Sequence, residues 1–570
     1  MKSALKALSG VLLLGLLLSC SSPAPAPPTQ EPAPVGQTSA PATVAPAPTA
    51  EPTKKAEGPV ILRVGGVQGI DCWNPYSCSD HWDYNDLVYE GFNSHGERCK
   101  AEPRLADSME VTPDGLTWTL HLHPGVTFSN GEPFNARVAA EFIKWFNTTE
   151  IRNWFYTTVH MQSVEALDDN TLQFKLDVPV SNFPNYDAVW FWMAPPSIWG
   201  HLDDKTLLTY DNSKPIGTGP YVVSDWKPGE YIVFDARPDY YRGKLPVDKI
   251  IYTQYKNWDA VIQAFLAGEI DLTVAKMPPQ YYDTLKNAPH TTVEERAPGE
   301  MHLLAFNLYP KGKKNPAVEN QAVREAIDYA IDKQQLVDVT LLGHGLACPN
   351  NWACGPNYEG ELNPDLKLTP FDPEKARQIL EDAGFKDTNG DGVRESADGK
   401  PLELRLFYPV EVPAELTMAE SMKRWLGDVG IAVNAEAQET GTLYNMVMTQ
   451  RDYDMAIMYE SADLDPAYLD FTVSGWSAEA GSSADNISGW SDKKIDDLIY
   501  QYMTTPDRQE AMKKIFEAQA IVNQARPYIV LGAENQIQAF NSDKFDFPRN
   551  TCDIGLGMWG FPGVMQIVVK

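Results

Sequence analysis

The residues best spaced for chemistry lie in one short run. Asp387-Thr388-Asn389-Gly390-Asp391-Gly392-Val393-Arg394-Glu395 carries side-chain oxygens at positions one, three and five, with glycine next. Val393 stands at seven, where a backbone carbonyl serves, and Asp398 at twelve. This is calcium-loop spacing: alternate oxygens converge and glycine permits the sharp turn. A strand-like segment, Leu402 to Phe407, follows in place of a helix, so no full EF-hand is expected. The competing reading is a solvated turn between helix and strand. Any calcium here would be structural, and no other cofactor is expected. Common catalytic signatures are missing: no HExxH, GxSxG or P-loop pattern occurs, the patterns that place a metal-bound water, an activated serine and a nucleotide phosphate respectively. His121 and His123 share one face of a strand and read as structural. An enzyme is not expected; a secreted hydrolase, the rival from another class, would need a nucleophile and base.

Seven cysteines are present. One, Cys20, ends the sequence Leu17-Leu18-Ser19-Cys20, after an apolar run from Leu8 and the basic residues Lys2 and Lys6. A basic head, a short apolar stretch and small residues before a cleavage point make a secretory signal, expected over 1–19. Its ending resembles a bacterial lipobox, which implies lipidation of Cys20. In an exported chain the other six cysteines suggest disulfides, with fifteen possible pairings. Cys72–Cys78 and Cys348–Cys354 are the natural local pairs, leaving Cys99–Cys552; free buried thiols are the alternative. Zinc is disfavoured because no CxxC or neighbouring histidine pair accompanies them.

These groups need a scaffold, and the pattern supplies one. Residues 20–58 are mostly Pro, Ala, Thr, Ser and Glu, without an aromatic side chain. Such a segment cannot bury enough apolar surface to offset ordering, so a disordered tether is expected. Extended as polyproline II at about 3.1 Å per residue, it reaches on the order of 100 Å. The body of about 510 residues exceeds one core and predicts two or three lobes. Ile61-Leu62-Arg63-Val64 reads as an opening strand. Trp118, Leu120 and Leu122 alternate, as do Leu172, Phe174 and Leu176, and Asn130-Gly131 marks a turn. Val323, Ala326, Ile327, Ala330 and Ile331 follow helical spacing. A second helix starts at Asp372-Pro373, buries Ala376, Ile379, Leu380 and Ala383, and stops at Gly384. Mixed strands and helices predict an α/β body. The formal net charge of −30 argues against nucleic acid, since phosphate binding needs a basic face, and leaves room for cationic ligands.

Five ordered blocks carry a family resemblance. They are Arg104-Leu105-Ala106 through Phe128-Ser129-Asn130-Gly131-Glu132-Pro133-Phe134, Gly217-Thr218-Gly219-Pro220-Tyr221 with Arg237-Pro238-Asp239-Tyr240-Tyr241, Val323-Arg324-Glu325-Ala326 through Asp332, Tyr453-Asp454 through Asp465-Pro466, and Gly489-Trp490-Ser491. Together they resemble the family 5 extracellular solute-binding proteins of ABC importers, which bind dipeptides, oligopeptides or nickel. The resemblance implies a periplasmic-binding-protein type II fold, a three-lobed, two-jawed clamshell with a discontinuous first lobe. Lobe I would comprise 59–92, 214–306 and 533–570, lobe II 93–213, and lobe III 307–532. It also implies an extracytoplasmic, lipid-anchored monomer, on the outer face of the membrane or in the periplasm, that hands a solute to a permease.

In peptide-binding relatives an aspartate before an acidic-Pro pair holds the ligand ammonium group; Asp463 matches it, with backbone contacts implied near Tyr459 and Ser461. Three features depart from the pattern. Only Leu464 separates Asp463 from Asp465-Pro466, Glu460 replaces a frequent tryptophan, and Val412 stands where dipeptide binders grip a carboxylate with arginine. A buried carboxylate without a cation costs several kcal/mol, so a longer peptide or a cationic solute fits better than a dipeptide. Fifteen tryptophans, among them Trp73, Trp82, Trp154, Trp190, Trp192, Trp352 and Trp476, mostly serve packing. Trp73 and Trp476 are taken as ligand-facing candidates, since indole faces stack on peptide side chains, sugars and cations. An oligosaccharide or a metal chelate is the alternative cargo.

Overall fold

The computed structural model describes residues 58–69, 72–77, 82–95, 101–352, 361–410, 412–461, 486–548 and 563–570. The readings placed on Cys20, Cys78, Cys99, Cys354, Cys552, Asp463 and Trp476 lie outside these residues. Two long antiparallel strands, Thr291–Phe306 and Tyr528–Asn541, run through the centre of an eleven-stranded mixed sheet. Tyr528-Ile529-Val530-Leu531 is buried on both faces, as a continuous apolar run in a central strand must be. Beyond Thr291–Phe306 lie Met455–Ser461, Glu403–Pro409 and Ala432–Gln438 in order. Beyond Tyr528–Asn541 lie Leu272–Thr273, Ile61–Gly66, Lys249–Gln254, Tyr231–Ala236 and Tyr221–Lys227. The central pair is irregular: its register shifts between Arg296 and Pro298, between Pro298 and Glu300, and between His302 and Leu303.

Alternation along the central strands separates two cores. Met301, Leu303 and Ala305 face helices Lys493–Thr504 and Arg508–Ala525, while Leu304 and Phe306 face helices Gln321–Ala330, Pro373–Asp382 and Pro413–Asp428. The helix expected after Asp372 is present, with the Asp372 side chain accepting from the Lys375 N–H at 2.9 Å. Its last turn ends at Gly384, whose φ of +89° lies in the left-handed region that favours glycine. The expected strands with inward Trp118, Leu120 and Leu122, and Leu172, Phe174 and Leu176, are Thr117–Leu122 and Thr171–Leu176. They lie at the centre of a separate four-stranded sheet, Ala106–Val111, Thr117–Leu122, Thr171–Leu176 and Met161–Ala166, covered by helix Ala136–Phe146. One apolar cluster runs from this sheet into the strand Ile61–Gly66. Ser181, just beyond that sheet, donates its N–H to the Met503 carbonyl (2.8 Å) and its hydroxyl to the Tyr502 carbonyl (3.2 Å) at the end of helix Lys493–Thr504.

The sequence blocks are largely buried joints between distant segments. Arg104, fully buried, reaches Glu90 at 3.0 Å and Asp86 at 2.5 Å, and the Tyr240 hydroxyl donates to the same Glu90 oxygen at 2.9 Å. Arg237 donates to the carbonyls of Thr127 and Thr218, both at 3.0 Å. Gly217 and Gly219 press against the backbone of Leu87 and Val88, where a Cβ would come within 2.0 and 2.5 Å of a carbonyl oxygen. Asp328 holds Arg526 at 2.7 Å and pairs with Lys333, and Asp454 holds Arg405 and the Asn315 N–H. Removing one partner of a buried pair leaves an unsolvated charge, so Arg104→Met is expected to cost roughly 3–5 kcal/mol. Urea unfolding of the variant checks this, and a loss below about 1 kcal/mol would show that Arg104 is no such joint.

Candidate functional site

The apolar face of the central sheet changes character at one end. Leu304, Phe306, Ile457, Met455 and Leu531 form its core-facing row. Two residues further, His302 pairs in register with Tyr459, and Glu300 with both Ser461 and Glu534. Residues directly opposed across a ladder share a face, and the His302 and Tyr459 rings meet edge to face with centroids 5.2 Å apart. Glu415 enters from the first turn of helix Pro413–Asp428, where an acid faces the positive end of the helix dipole. Val412 is the N-cap of that helix and makes no side-chain capping bond.

Within this row the charges are unevenly matched. His302 Nδ1 lies 3.0 Å from Glu415 Oε1, and both side chains are completely buried. Lys276 ion-pairs with Glu300. The Glu534 side chain, on a half-buried residue of the ladder, receives no hydrogen bond and no ion pair among the described residues. His302 Nε2 and Glu415 Oε2 are buried without a hydrogen-bond partner among the described residues. Burial disfavours the imidazolium, but the hydrogen bond and charge of Glu415 outweigh it, and His302 titrates above its ordinary value. Burial also raises Glu415, against the opposing pull of His302. It raises Glu534 as well: His302 and Lys276 pull down, while Glu300 and Glu415 push up. These groups were not singled out in the sequence. For Glu300 and His302 a signal was available in Glu300-Met301-His302-Leu303-Leu304-Ala305-Phe306, where polar residues two apart continue one face of an apolar strand.

Other expected site residues lie elsewhere. Tyr459 is half-buried on the strand Met455–Ser461, and Glu460 stands in register with Met301. Trp73 is 1% exposed, with Trp226 and Phe234 edge-on at 6.1 and 5.8 Å, a core position closed to solvent; Trp192 and Trp352 are equally buried. Neither Cys72 nor Cys348 is free. In the acidic loop, carboxylate oxygens of Asp387, Asp391 and Glu395 lie within 4.8 Å of one another. Asp398, expected to close the cage, is instead held by Ser396 at 2.5 Å and Lys400 at 2.7 Å. Glu395 joins the cluster in its place, and Asn389 turns its amide toward Asp391 and Glu395, both at 3.0 Å.

A histidine titrating above its unfolded value stabilises the fold fully below that unfolded value, and the contribution is lost as pH rises through the folded one. Glu415 and Glu534 are shifted in the same direction, and Glu300, Lys276 and Tyr459 complete the groups facing His302. The stability difference between wild type and His302→Gln should therefore be largest below pH 6.5, the ordinary histidine value, and shrink toward alkaline pH. Denaturant unfolding at a series of pH values reads this difference, and a pH-independent one would contradict the assignment.

The profile of the bacterial extracellular solute-binding proteins, family 5 Middle, matches residues 100–481. The nickel-binding periplasmic protein of Escherichia coli is 29% identical over 365 residues, covering 63% of this chain and 67% of its own. The oligopeptide-binding protein AppA of Bacillus subtilis is 24% identical, covering 84% of this chain and 87% of its own. Among solved structures, NikZ of Campylobacter jejuni in complex with Ni(L-His) superposes with a TM-score of 0.75 at 24% identity, over 90% of this chain and 99% of that one. The fold is accordingly that of the type II periplasmic binding proteins. No helix among the described residues is long and apolar enough to cross a membrane. The ordered blocks, the sheet that they join and the profile match agree: the chain belongs to the family 5 extracellular solute-binding proteins, the capture components of ABC importers.

Proposed function

We propose that this protein captures an oligopeptide-like or cationic solute between two jaws, with Asp463 holding an amine, and delivers it to a membrane permease. The observation that carries this reading is the excess of carboxylates over cations in the row that ends the Met455–Ser461 strand. Asp463 follows that strand by two residues in the sequence, and an ammonium group between carboxylates forms charge-assisted hydrogen bonds, stronger than neutral ones. A chelated metal is the second reading, supported by the nickel ligand named for two relatives.

The remaining parts of the proposal concern placement. Lipidation at Cys20 and the tether over 20–58 keep the body near its permease. The first lobe is assembled from 59–92, 214–306 and 533–570, and 93–213 and 307–532 form the others. The bonds Cys72–Cys78 and Cys348–Cys354 close local loops, and Cys99–Cys552 ties an early segment to the C-terminal one. A contact to both jaws favours the closed state, so ligand binding drives closure. The loop at Asp387, Asp391 and Glu395 takes a structural calcium ion.

Native mass spectrometry of freshly purified protein should show a co-purified amine-bearing solute. Asp463→Ala should weaken its binding by roughly 2–5 kcal/mol, and unchanged affinity rejects the assignment. Millimolar calcium should raise the melting temperature of wild type but not of Glu395→Gln; equal responses would remove calcium from the account.

A further inference from the structure

The charges of the central row do not close. Glu300 is ion-paired with Lys276 and Glu415 is hydrogen-bonded to His302, whereas the Glu534 side chain has neither kind of partner among the described residues. Two buried atoms beside it, His302 Nε2 and Glu415 Oε2, also have no partner there. A buried polar atom left unsatisfied costs about 1–3 kcal/mol, so two on one hydrogen-bonded pair favour a donor that reaches them. The hydrogen bond to Glu415 assigns the imidazole proton of neutral His302 to Nδ1, because a carboxylate can only accept. Nε2 then presents a lone pair, and all three unfilled functions (Nε2, Glu415 Oε2 and the Glu534 carboxylate) are acceptors. What fits three acceptors and a missing positive charge is a group with several N–H donors and one charge. A bare metal ion fits less well: the closely spaced carboxylate and histidine set among the described residues is the Asp387 loop, not this row.

We propose that His302, Glu415, Glu300 and Glu534 form a second cation subsite, which takes an ammonium or guanidinium group of the solute, with Glu534 as its charge partner. It is distinct from the amine contact assigned to Asp463, and it rests on the reading that a solute enters between the jaws. The subsite has a built-in dependence on pH. Neutral His302 accepts an N–H from the bound cation, whereas the imidazolium repels it, so binding releases a proton and strengthens as pH rises through the titration of His302.

The test uses the full-length protein with histidine labelled on the ring carbons. Nine histidines give nine Cε1–H signals, and His302→Gln identifies the one of interest. Butylammonium chloride is the probe, butan-1-ol its neutral isostere, and nickel chloride the metal control. The expected result is a saturable shift of the His302 signal with butylammonium and none with butanol. Affinity should rise with pH over the range in which the same signal shows His302 losing its proton, and should fall roughly tenfold or more in Glu534→Gln but not in the exposed Glu374→Gln. The comparison of the two wild-type probes stands even if Glu534→Gln fails to fold. Absence of a saturable shift, an equal response to butanol, an unchanged affinity in folded Glu534→Gln, or a response to nickel alone overturns the subsite. If that happens while native mass spectrometry still finds captured solute, the subsite alone is wrong; if no solute is captured, the wider reading fails with it.

Discussion

Everything in the body depends on one pair of strands. Thr291–Phe306 and Tyr528–Asn541 are hydrogen-bonded to each other along most of their length, and each carries a different part of the sheet on its outer edge. A strand bonded on both edges and covered on both faces has no solvent for polar side chains. Its interior is therefore apolar from Leu303 to Phe306 and from Tyr528 to Leu531. Polar groups gather where the apolar row of Leu304 and Phe306 gives way, but solvent does not reach them all: His302 and Glu415 are completely buried there and meet at 3.0 Å. A histidine and three carboxylic acids thus share the end of the row, and burial makes each depend on its neighbours.

The buried charged groups serve a different purpose. Arg237 reaches the Thr127 carbonyl 110 residues away, Asp328 holds Arg526 198 residues away, Asp454 holds the Asn315 N–H 139 residues away, and Glu90 joins Arg104 to Tyr240, itself 150 residues from Glu90. Such joints add little to stability over well-packed apolar groups, but they specify which segment meets which. A chain whose core wanders between separate stretches needs that specification. The order of the blocks therefore identifies the architecture faithfully while revealing little about cargo.

This explains what could be read from the sequence. Alternation located Thr117–Leu122 and Thr171–Leu176, and Asp372-Pro373 located a helix start, because those signals are local. The assignment of Trp73 to a ligand surface rested on residue type alone, and burial between Trp226 and Phe234 places it in the core. Asp398 sits at the spacing a cage requires, but Ser396 and Lys400 capture it, and Glu395 folds inward instead. His302 and Glu415 are 113 residues apart, and Glu534 is farther still. Their meeting is a property of sheet register and helix placement, which no local pattern carries.

The register shifts flanking Glu300 and His302 have a mechanical consequence. A bulge interrupts the ladder, bends the strand and increases its twist, so these breaks are the compliant points of an otherwise continuous beam. The groups of the polar row stand between them. Flexing the beam alters the spacing of acid and imidazole, and, by reciprocity, whatever fixes that spacing resists flexing. The central strands then act as a spring whose stiffness is set by their own side chains, with chemical recognition and elastic deformation sharing the same few residues.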